Sequence, residues 1–155
     1  SDVERKRLFG MSPSDRPGES RLTKIYGPEA SRRTYERLSA IARTALAADK
    51  TIIVDATSLD RKRRTALLEA ARQVGAPALI LACDAGISTL EDRVLTREAR
   101  NQDPSDAGVE VLRKQLRERD LFGDDEPVLE IRTDQQTDPD VLAARIRERI
   151  AGPAS

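Results

Sequence analysis

Asp2 and Arg5 stand three residues apart in SDVERKRLFG, where Ser1 and Glu4 form the Ser-x-x-Glu pattern that starts helices. On a helix, that spacing puts carboxylate and guanidinium on one face, one turn apart. An Asp in this place can cap the helix or complement its dipole. It can equally accept a proton from a substrate hydroxyl while Arg5 holds a substrate anion. Asp55 poses a similar choice. It closes the β-branched run Thr51-Ile52-Ile53-Val54, where a buried parallel strand would give way to a loop. It either caps the next turn or positions Mg²⁺, directly or through water. Arg93, Arg97 and Arg100 follow spacings of four and three, so they share one helical face. Such a row is a solvated surface, or it is a set of lid cations for a transferring phosphoryl group. Cys83 is the only cysteine and lies in an apolar run. It reads as a small core residue, not as a nucleophile.

These side chains need a scaffold, and Thr51 to Ala85 supplies its centre. The strand ending at Asp55 is followed from about Asp60 by helical spacing of Leu67, Leu68, Ala71 and Val74. Gly75 stops that helix and Pro77 prevents its return. Ala78 to Ala82 forms a second apolar strand, closed by Asp84. A strand–helix–strand unit this short implies a right-handed crossover in a parallel sheet. Ligands of such sheets bind at the carboxyl ends of the strands, where Asp55 and Asp84 both fall.

The flanking elements follow in order. A first helix ends at Gly10, and a long irregular loop leads to Gly27-Pro28, which opens a second helix striped by Tyr35, Leu38, Ile41, Ala42, Ala45 and Leu46. After Asp84 a helix spans about 88–100, and the polar break NQDPSD follows. Asp106 is expected to cap the next helix, which ends near Asp120. Val128 to Ile131 is a third strand, Asp138-Pro139 opens the last helix, and 152–155 is a tail.

Composition narrows the field. At 155 residues the chain reads as one domain able to bury a core. Lys plus Arg and Asp plus Glu number 27 each, which argues against bulk electrostatic binding to nucleic acid or an acidic membrane. Few aromatics leave no stacking platform for single strands. Without histidine, imidazole is excluded as base, nucleophile or ligand. One cysteine excludes an intrachain disulfide and a cysteine-rich metal site. No apolar run approaches the ~18 residues of a membrane helix. The chain shows no signal peptide, so a cytoplasmic location is expected.

SDVERKRLFG, then YGPEASRRTYERLSAIARTALAADKTIIVDATSLDRKRRTALLEAA, then the arginine-bearing helix and its hinge resemble the P-loop kinase-type AAA ATPase domains. They resemble in particular the ATP-binding half of bacterial proteins that join an aminoglycoside-phosphotransferase-like domain to a P-loop domain. The pattern is also similar to polynucleotide kinase, gluconate kinase and zeta toxin. The resemblance implies an α/β three-layer fold around a parallel sheet, with a helical lid at about 88–120. It implies transfer of the ATP γ-phosphoryl group to a small hydroxyl-bearing acceptor, with Mg²⁺. Asp2 would be the base, Arg5 the acceptor contact, Asp55 the Mg²⁺-side carboxylate, and Arg93, Arg97 and Arg100 the lid cations. Two other readings stand beside this one. A regulatory nucleotide-binding module could serve a fused or partner phosphotransferase, or the domain could be structural, its acids caps and its arginines solvated.

The family's defining phosphate loop, G-x-x-x-x-G-K followed by Ser or Thr, occurs nowhere in the chain, whose glycines are scattered singly. In the family it lies upstream of the residues matching Ser1-Asp2. The first strand, that loop and its helix are therefore expected outside these residues. The family's sheet order then leaves a gap between the strands ending at Asp55 and Cys83, exposing an edge on each. These residues alone are expected to bind ATP weakly or not at all, and to fold poorly, self-associate or be completed by another chain.

Overall fold

In a computed structural model, the structure describes residues 1–18, 24–100 and 105–151. The first part of the NQDPSD break, the middle of the 10–27 loop and the tail lie outside the described residues. Helix α1 (Asp2–Leu8) starts at Ser1, whose side chain makes no cap bond. The backbone closes the first turn instead, Arg5 N donating to Ser1 O at 2.9 Å. Glu4, expected to complete a capping box, pairs with Arg7 and Arg37. The two arginines outcompete a single backbone N–H for this carboxylate, because charge-assisted bonds are the stronger ones.

Helix α2 (Pro28–Ala47) opens with Pro in its first turn, where the missing N–H costs nothing. It buries Ala30, Thr34, Tyr35, Leu38 and Ala42, the face its spacing predicts. Helix α3 (Arg61–Arg72) is capped by Asp60, whose side chain accepts from Lys62 N at 2.7 Å. Gly75 ends the turn after it at φ +67°, a conformation that costs an L side chain about 1–2 kcal/mol. A Cβ there would meet nothing within 4 Å. Gly75→Ala should therefore destabilise the chain by about 1 kcal/mol through conformation alone, with Gly75→Asn costing less. Urea unfolding of both variants checks this.

Strands β1 (Ile80–Asp84) and β2 (Val128–Arg132) pair in parallel, Ile80 opposite Val128 and Asp84 opposite Arg132. Helices α4 (Ile87–Arg100), α5 (Val109–Glu118) and α6 (Pro139–Ala151) complete the described elements. Ile80 N donates to Pro127 O, and Thr133 N to Asp84 O, each at 2.8 Å. Parallel pairing turns alternate residues to opposite edges, so the backbone groups of Leu81 and Cys83 point away from β2. On the shared face Leu129 and Ile131 are buried, while Leu81 and Cys83 beside them are exposed. Cys83 is thus not a core residue, because the cover over β2 stops short of β1.

The run 51–54 is not a strand among the described residues. Its residues alternate between exposed and half-buried, and Ile53 is 88 % exposed. β-branched residues favour a pleated surface, but a ladder needs a neighbour. Within the described residues, β2 is the sole partner of β1 and nothing pairs with 51–54. What is described is therefore a mixed helical structure around a small parallel two-stranded sheet.

Candidate functional site

Helix α1 carries the densest group of charges. Arg5 is buried: its Nη1 donates to Ile25 O at 3.1 Å and Ser31 Oγ at 3.3 Å. Its guanidinium lies 4.9 Å from the centroid of the Tyr26 ring, within the range of a cation–π contact. The Arg5 Nε is buried with no hydrogen-bond partner. It stands 3.8 Å from Asp2 Oδ1, close enough to pair electrostatically and too far to hydrogen-bond. Asp2 itself is 30 % exposed. Its carboxylate therefore has an open side and a fixed guanidinium behind it.

One turn on, Lys6 is fully buried and donates to Pro13 O and Asp15 O at 3.2 and 2.8 Å. Its ammonium also faces Asp106 Oδ2 at 3.4 Å. Asp106 accepts from Arg16 Nη1 at 2.7 Å and from Tyr26 O–H at 3.0 Å. It does not cap α5, where Gly108 takes that place. Three donors hold the carboxylate two residues before the N-cap position. Burial first, then the nearby Asp2 and Asp106 carboxylates, push the Tyr26 phenol above its ordinary range.

Asp55 lies beside this group, since the Ser1 nitrogen donates to its carbonyl at 2.5 Å. The loop behind it turns at Ser58, φ +45°, where Ser58 N donates to Tyr35 Oη at 3.0 Å. Arg97 reaches the same side, donating to Ala107 O at 2.5 Å. Arg93 does not: it donates to Thr133 Oγ1 and O at 2.7 and 2.6 Å, at the end of β2. Arg100 is exposed. The structure thus brings Asp2, Arg5, Asp55 and the segment held by Arg97 together, and seats Arg93 against β2.

A family profile described as AAA domain matches residues 1–122, a span that includes α1, the Asp55 loop and both arginines. The chain belongs to the AAA domain family. No curated protein and no solved structure matches it. Membership makes this a nucleotide-binding, P-loop type of domain with kinase- or ATPase-like character, and the helices with a small parallel sheet are compatible with an incomplete α/β version.

The AAA domain's described residues do not by themselves make a triphosphate–Mg²⁺ site. No glycine-rich loop occurs in the chain, and no three His, Cys, Asp or Glu side chains cluster as metal ligands among the described residues. Among the described residues, no helix is long and apolar enough to cross a membrane.

Spacing missed a second group in this AAA domain. Arg64 and Glu126 are almost wholly buried and meet as a two-pronged pair, Nε to Oε1 at 2.6 Å and Nη2 to Oε2 at 3.0 Å. Arg64 also donates to Ser58 O and Leu59 O at 3.1 Å and to Leu121 O at 3.1 Å. It ties the loop after Asp55 to the segment leading into β2. In the sequence Arg64 is one of four consecutive basic residues, and nothing there separates it from Arg61, Lys62 or Arg63. The bond from Arg64 draws the Glu126 carboxyl down from 4.5 to about 2.

Proposed function

We propose that this AAA domain serves ATP-dependent phosphoryl transfer to a small hydroxyl-bearing acceptor, with ATP as donor substrate and Mg²⁺ as its metal. The observation that carries this is the Asp2–Arg5 pair. A hydroxyl can give its proton to a carboxylate, and the pair offers a part-exposed carboxylate held beside a buried guanidinium. In this reading Asp2 takes the acceptor's proton as its oxygen attacks phosphorus. Arg5 is committed to Ile25, Ser31 and Tyr26, so it orients Asp2. It has little left with which to grip a distant anion. Asp55 contributes a carboxylate on the Mg²⁺ side, and α4 with α5 forms a helical lid. The phosphate cradle would come from a glycine-rich loop that these residues do not contain.

The test is ATP consumption by protein that carries that loop, with and without a panel of hydroxyl compounds. An acceptor that raises consumption and itself becomes phosphorylated supports the reading. Consumption indifferent to every acceptor favours a regulatory module for a fused or partner phosphotransferase. The commitment of Arg93 and Arg97 to Thr133 and Ala107 is what speaks for that second reading. As lid cations they act mostly on charge that develops in the transition state. Arg93→Ala and Arg97→Ala should then lower kcat by about tenfold or more and leave nucleotide affinity within about twofold. Equal losses of thermal stability and activity would make both arginines structural.

A further inference from the structure

We propose that Asp106 is a positioning residue that ties the segment following α4 to the Asp2–Arg5 pair through Tyr26. The inference rests on the hydroxyl-acceptor reading and adds a device that sets the geometry of that site. Asp106 receives donors from three separate places: Lys6 on α1, Arg16 in the loop after it, and Tyr26. Its side chain is 8 % exposed, and a carboxylate so buried is tolerated only with its donors in place. Lys6 is bound to the same arrangement. Its ammonium is fully buried, and without Asp106 it would face the carbonyls of Pro13 and Asp15 with no countercharge.

The next links are short. Tyr26 donates to Asp106 with its hydroxyl and offers its ring to the Arg5 guanidinium, which faces Asp2. One residue beyond Asp106, Ala107 O accepts from Arg97 of α4. The position of α4 and the orientation of Arg5 are therefore joined through one carboxylate. Buried charge groups of this kind hold one arrangement or break from it, and they do not deform smoothly. Acceptor binding and the placement of α4 should accordingly be coupled.

The experiment compares Asp106→Asn, Asp106→Glu and the unmodified chain. The two tyrosines are Tyr26 and Tyr35, and there is no tryptophan, so isotope-labelled tyrosine gives two ring signals, assigned with Tyr26→Phe. In Asp106→Asn, Tyr26 should ionise closer to the ordinary value of about 10. Exchange of the buried Arg5 Nε–H should quicken by about tenfold or more as its surroundings loosen. The acceptor KM should rise about tenfold, with nucleotide affinity unchanged. Asp106→Glu should recover part of each effect. If Asp106→Asn fails to fold, Lys6→Met with Asp106→Asn removes both buried charges, and the same readouts apply. An unchanged Tyr26 titration overturns the tie to Tyr26. A moved titration with unchanged Arg5 exchange or acceptor KM overturns the coupling to the pair. If no hydroxyl is phosphorylated at all, the acceptor reading fails on its own, and the two spectroscopic readouts alone decide the tie.

Discussion

Asp2→Asn should lose on the order of 10²- to 10⁴-fold in phosphoryl transfer, the range that removal of a general base produces. Nucleotide affinity should stay near that of the unmodified protein, since in the proposed reaction the Asp2 carboxylate beside Arg5 acts on the acceptor and not on the nucleotide. The substitution is nearly isosteric and keeps a hydrogen-bonding group at the first helical position. The helix loses only a charge near its positive end, worth about 0.3–1 kcal/mol. Asp2 makes no cap bond that Asn would forfeit, because Ser1 holds the N-cap position. A large fall in kcat with little change in thermal stability would identify the base. Turnover at the unmodified rate with every accepted hydroxyl would reduce Asp2 to a dipole partner, and phosphoryl transfer would need another base. Steady-state transfer across acceptors, with nucleotide binding measured alongside, makes the distinction.

The largest effect on stability should come from breaking the Arg64–Glu126 pair. Removing one partner leaves the other charge buried and alone, which costs about 3–5 kcal/mol. Arg64→Met and Glu126→Gln should each approach that loss in urea unfolding. The double variant Arg64→Met with Glu126→Leu should recover much of it, since well-packed apolar groups replace a buried pair at little cost. The pair also sets an acid limit. Glu126 is held at about 2 in the folded chain against an ordinary 4.5, so its contribution is complete above 4.5. It fades as pH falls from there through about 2. Glu126→Gln should therefore show a flatter loss of stability across that window. Parallel acid profiles of the two proteins would locate the acid sensitivity elsewhere.

Local pattern was enough to find helices α1 to α6 and strands β1 and β2. Pro28, Asp60 and Gly75 act through the backbone of their own turn, and the α2 stripe follows from its period. Such features depend on neighbours a few residues away, so they are legible in a linear chain. The pairing of Asp2 with Arg5 at one helical turn was legible for the same reason. Family membership of residues 1–122 rests likewise on residue order and spacing.

What the tertiary structure decided lies at long separation. Thr51 to Val54 has the composition of a strand, yet a ladder requires a partner, and no described residue supplies one. Cys83 sits in an apolar run and is exposed, because cover depends on what packs over β1. Arg64 is indistinguishable in sequence from its basic neighbours, and its partner lies 62 residues on. Asp106 looked like a cap, while its bonds to Arg16 and Tyr26 span 90 and 80 residues. Propensity and period describe what one segment prefers. Which buried charges meet is set by the folded arrangement that brings distant segments together, since only there does desolvation make an unpaired charge intolerable.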